Sequence, residues 1–147
     1  MEVKKEFVKN NGKKVRLLAE TQIEDLYGDQ QIMRHAGYGR IVVDGQSFGI
    51  VYTDTQGMER SDIYLYGTEK QVGMERNGSA TGTLDFTLGK ETLSQYYLEY
   101  GEIEIRIRTT AIECDLNQNE GRIVLNYSSG MNGEVQGYTR YTCKWKN

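Results

Sequence analysis

From Phe48 to Trp145, apolar residues recur at every second position in one stretch after another. The clearest is Glu102-Ile103-Glu104-Ile105-Arg106-Ile107-Arg108, which puts three isoleucines on one parity and four charges on the other. Successive side chains of a strand leave opposite faces of a sheet, so this spacing builds one dry face and one wet face. A helix would scatter the same isoleucines around its circumference. Short alternating strands joined by tight turns predict an all-β chain folded as a single antiparallel barrel or sandwich.

The turns must come from glycine, because the 147 residues include 17 Gly and no Pro. Without proline, every central strand keeps its backbone donors. Eleven tyrosines supply side chains that pack by a ring face while the hydroxyl reaches a partner. The length suits one domain, residues 1–147.

Ten strands can be placed on this pattern: 15–23, 31–43, 48–52, 62–67, 71–76, 80–88, 91–99, 102–116, 122–128 and 135–146. Asp44-Gly45 and Asn77-Gly78 are hairpin dipeptides between them. Gln56-Gly57, Gly89-Lys90, Tyr100-Gly101, the run 117–121 and the run Gly130 to Gly133 supply further turns. Every connection is short, so the expected topology is an up-and-down meander of eight to ten strands, and closing it removes the edges. In the longest strand the apolar positions are odd through Ala111 and then become Ile112, Cys114 and Leu116. That change of parity predicts a bulge near Thr109-Thr110. No helix is expected, beyond a single turn near residues 23–30.

The formal charge of −3 argues against nucleic acid as a partner. Lys4, Lys5, Lys9, Lys13 and Lys14 do crowd the first fourteen residues, but Glu2 and Glu6 dilute the run. Residues 1–14 read as a solvated basic arm or a first strand. No apolar leader or membrane-length stretch is present, which predicts a cytosolic protein with no membrane partner. Cys114 and Cys143 are then expected to be thiols, packed as small hydrophobes.

Tests for chemistry come back negative. Gly89-Lys90-Glu91-Thr92 fails as a phosphate loop, because Leu84 stands where the first glycine is needed and Glu91 replaces Ser/Thr. Asp115-Leu116-Asn117-Gln118-Asn119 begins like a calcium loop, but Glu120 occupies the glycine position and Asn126 that of the bidentate Glu. His35 is the sole histidine, which leaves zinc clusters and histidine-based triads without material. The expectation is a protein that is not an enzyme and uses no metal or cofactor.

One polar pair stands out by parity. Asp54 continues the face of Phe48, Ile50 and Tyr52, while Arg76 continues that of Val72 and Met74. If those faces point inward, a carboxylate and a guanidinium share the barrel interior, where charges need partners. Two readings stand: a closing ion pair, which is the expected one, or a site in which Arg76 grips an anionic head group. Tyr52, Asp54, Arg76 and Tyr97 are the candidate ligand-binding residues, with Phe48, Phe86 and Trp145 lining the same interior.

The order Tyr52-x-Asp54, Arg76-x-Gly78, Phe86, Tyr97-x-x-Tyr100-Gly101, Ile105-x-Ile107-x-x-Thr110, Gly121 and Tyr127 resembles the YwiB-like family of small bacterial proteins. The resemblance covers roughly residues 15–146. It implies a calycin-like, lipocalin-like β-barrel. The family tends to have Glu where this chain has Asp54, and Thr-Pro where it has Leu98-Glu99. Two functions remain open from residues and resemblance together. One is a barrel binding a small apolar or anionic molecule in its interior. The other is a structural or interaction protein whose barrel is filled by side chains.

Overall fold

The structure is a computed structural model and describes residues 3–55, 60–131 and 134–147. It is a closed barrel of ten antiparallel strands in sequence order, with the first strand pairing with the last. The strands are β1 (Lys13–Asp25), β2 (Gln30–Asp44), β3 (Ser47–Asp54), β4 (Ser61–Gly67), β5 (Gln71–Asn77), β6 (Thr81–Thr87), β7 (Glu91–Leu98), β8 (Gly101–Asp115), β9 (Glu120–Met131) and β10 (Glu134–Lys146). All ten overlap the strands expected from alternation. The main change is at the end of β9, which runs on through Gly130. The Gln56-Gly57 turn lies outside the described residues, as do Asn132 and Gly133 of the last turn.

Alternation sets which face is dry. Ile107 has no exposed surface, Ile103 and Ile105 pack partly buried against the core, and Glu102, Glu104, Arg106 and Arg108 face out. The expected bulge is present: the β8–β9 register slips between Thr109 and Ala111, which carries Ile112 and Cys114 inward. A second slip, between Val135 and Gly137, had no counterpart in the pattern. Ile107→Val should cost about 0.5–1.5 kcal/mol, since one methyl group leaves a site that cannot fully collapse. A urea midpoint unchanged from the parent would contradict the inward assignment.

One seam of the barrel is held differently. β6 and β7 share only two ladder pairs, Thr81 with Tyr97 and Gly82 with Tyr96. Below them, side-chain hydroxyls from β7 take over. Ser94 Oγ accepts the Asp85 N–H at 3.3 Å, and the Thr92 hydroxyl donates to the Asp85 carbonyl.

The basic start is a strand only at Lys13 and Lys14, where β1 begins. Lys5–Asn11 form a seven-residue helix, α1, laid on the outside of β2 and β3. Its Val8 is fully buried with Val3 and Tyr64, and Gly49 leaves room for both valines. A helix this short is unstable alone, so packing against the barrel determines it. Less than two turns also shows too little periodicity to be read from sequence. Residues 25–29, within the stretch where the sequence allows a helical turn, form an Asx turn instead, Asp25 Oδ1 accepting the N–H groups of Tyr27 and Asp29. Among the described residues, no helix is long and apolar enough to cross a membrane.

Candidate functional site

The inward side chains divide along the barrel. Towards the end that holds the start of β1 and the end of β10, the interior is packed solid with Phe48, Phe86, Ile41, Leu65, Ile123 and Trp145. Polar groups gather nearer the opposite end. Tyr52 on β3 shares a 2.7 Å hydrogen bond between hydroxyls with Tyr141 on β10. The His35 ring from β2 stacks on Tyr52 with centroids 5.7 Å apart.

Asp54 and Arg76 both lie half-buried on the inward parity of β3 and β5, as expected. Asp54 Oδ1 lies 3.9 Å from Nδ1 of His35, a contact that is an ion pair when the imidazole is protonated. Among the described residues no carboxylate pairs with Arg76, so the expected Asp54–Arg76 ion pair is not formed. Arg76 lies instead among the inward tyrosines, its positive charge favouring ionisation of Tyr96, Tyr52 and Tyr127 against the burial that opposes it.

Tyr97 is corrected by the structure. It points outward and is 50% exposed, while its neighbour Tyr96 is buried and faces the interior. Leu93 and Tyr97 share one parity of β7, and Tyr96 and Leu98 share the other, so alternation alone does not choose between them. The turn does choose. With Leu98 opposite Gly101, Tyr96 falls opposite Ile103 and shares its face. Tyr127 and Tyr141 were missed as well. Both lie on the parity of Ile123, Leu125, Cys143 and Trp145 and could have been found by extending it.

The phenols here are strongly neutral. Burial pushes Tyr127 up to about 12, with Tyr96 adding to it, and a hydrogen bond from Thr139 and the Arg76 charge opposing. Burial also raises Tyr52, Tyr96 and Tyr141. Cys143 is pushed up to about 12 by burial and Cys114 to about 11, so both free thiols are poor nucleophiles. The cluster therefore offers one guanidinium, one imidazole, one carboxylate and several un-ionised hydroxyls. That is an inventory for holding a molecule by charge and hydrogen bonds.

The sequence profile of DUF1934, a domain of unknown function, matches residues 19–142. The chain is 24% identical to the uncharacterized β-barrel protein YwiB of Bacillus subtilis strain 168 over 122 residues, 83% of this chain and 85% of that protein. The crystal structure of the ywiB protein from Bacillus subtilis has the same fold. Its TM-score is 0.77 at 23% identity, covering 96% of this chain and 99% of that one.

Proposed function

The chain belongs to the DUF1934 family of YwiB-like β-barrels, and on that premise we propose that it is a binding protein for a small anionic molecule, held between Arg76 and the inward tyrosines. The observation that carries this reading is the state of Arg76. A half-buried guanidinium with no carboxylate partner among the described residues is poorly compensated, and an incoming carboxylate or phosphate would supply the missing charge. Tyr96, buried on the inward face of β7 and within reach of the Arg76 charge, would share that anion. Asp54, beside His35, faces the same interior and suits a donor group elsewhere on the ligand. The lipocalin-like shape implied by the family resemblance fits such a role. The solid packing of the other half of the barrel limits the ligand to a small one.

Native mass spectrometry of the purified protein tests this directly. The parent should retain a small negatively charged molecule that Arg76→Met loses. Removal of one charge-assisted contact should weaken binding about 10- to 100-fold. Equal retention by Arg76→Met would sink the assignment. A parent that carries nothing and is not stabilised by any small carboxylate or phosphate would favour the second reading, a side-chain-filled barrel that acts through its outer surface.

A further inference from the structure

The formal charge of −3 is an average over unlike faces of the barrel. Outward positions of β2, β1, β10 and β9 carry a row of cations. Lys14 stands opposite Arg40, Arg16 opposite Lys146, and Lys144 opposite Arg122. Two hollows run along this face, of about 450 Å³ beside α1 and about 900 Å³ over β1 and β10, and Tyr38 lines both. Of the described residues lining them, eight are basic and four acidic. None of Lys14, Arg16, Arg40, Arg122, Lys144 and Lys146 forms an ion pair with a described residue. Tyr38 at the junction is 61% exposed, with the Lys14 ammonium 4.7 Å from its ring centroid.

We propose that this groove binds single-stranded nucleic acid, its cations following the phosphates and Tyr38 stacking on a base. The site lies on the outer face and is independent of the interior around Arg76. Neighbouring strands stand about 4.8 Å apart, so the cations form a track across four strands rather than one point charge. A positive groove with an exposed aromatic ring is how proteins hold single strands without reading sequence. A membrane-docking face would need apolar side chains to insert, and beside Tyr38 this one offers Leu18 at 38% exposure. An acidic peptide could meet the cations, but it would have no use for a bare ring at the junction.

Fluorescence anisotropy of a labelled mixed-sequence RNA of about ten nucleotides, within the usual span of such sites, is the test. With roughly four phosphates engaged, log affinity should fall with log salt at a slope near −3, about 50-fold between about 50 and 200 mM. Arg16→Gln with Lys144→Gln, both exposed, should make that slope shallower by about 1.4. Tyr38→Ala should weaken binding roughly tenfold and Tyr38→Phe should not, because the ring does the stacking. Arg108→Gln, outward on β8 and away from this groove, should leave binding unchanged. The proposal is overturned by lack of saturable binding at about 50 mM salt, by an unaltered slope in the double variant, or by equal behaviour of the two Tyr38 variants. Displacement of the RNA by polyglutamate at equal charge concentration, or tighter capture by anionic vesicles than by RNA, would overturn it too.

Discussion

Raising the pH above about 10 should unfold this protein in one cooperative step, centred near pH 11. Tyr52, Tyr127 and Tyr141 are buried as neutral phenols, and Cys143 as a neutral thiol, each with its folded pKa raised. For a raised pKa the folded state holds its proton after the unfolded chain has lost it. Stability from these groups is therefore fully present below the unfolded values, near 10 for tyrosine and 9 for cysteine, and declines as pH climbs towards the folded ones. Each group costs about 1.4 kcal/mol per pH unit in that window. Three phenols and one thiol would together remove roughly 7 kcal/mol by about pH 11, comparable to the whole stability of a typical domain. Near-ultraviolet circular dichroism across the titration reads this directly. The double change Tyr52→Phe with Tyr141→Phe removes two of the groups together and should move the transition to higher pH. An undiminished aromatic signal at about pH 12 would mean the fold withstands the cost of keeping those protons, against the loss of stability argued from these groups.

Trp145→Ala should be among the most damaging single substitutions, at about 3–5 kcal/mol. The ring is 2% exposed, and its Nε1–H donates to the Asn117 carbonyl at 2.6 Å. It also lies over Gly121 on the neighbouring strand, where a Cβ would stand 2.5 Å from the indole. Truncation would thus open a cavity bordered by a backbone shaped to receive that ring, which limits how far the site can collapse. Chemical denaturation should show a large fall in midpoint, and a loss below about 1 kcal/mol would mean the core closes over the gap.

How much of this was legible follows from what period-2 alternation can carry. It located every strand because nearly all are dry on one side and wet on the other, and the parity switch after Ala111 marked the β8 bulge. It could not choose between Tyr96 and Tyr97, since two adjacent tyrosines satisfy either face; only the register across the Leu98–Gly101 turn decides. It also placed Asp54 and Arg76 inside without saying which groups meet. Which groups meet depends on register: β2 and β3 are hairpin neighbours, and the pairing that sets Gly39 opposite Tyr52 brings His35 beside Asp54. The helix escaped because its one buried residue, Val8, gains its environment from β3 and β4.

The pairing of β1 with β10 bears on how the chain is made. Nine of the ten ladders join sequence neighbours and can zip as each hairpin emerges from the ribosome, whereas the tenth waits more than a hundred residues for its partner. Throughout that interval β1 has an unsatisfied edge of the kind that recruits other chains. Its wet face carries Lys14, Arg16, Glu20 and Glu24, charges that discourage such recruitment until β10 arrives. Barrel closure is thus a late, long-range event in biosynthesis, and the nascent sheet is guarded by the same cations that later line the outer groove.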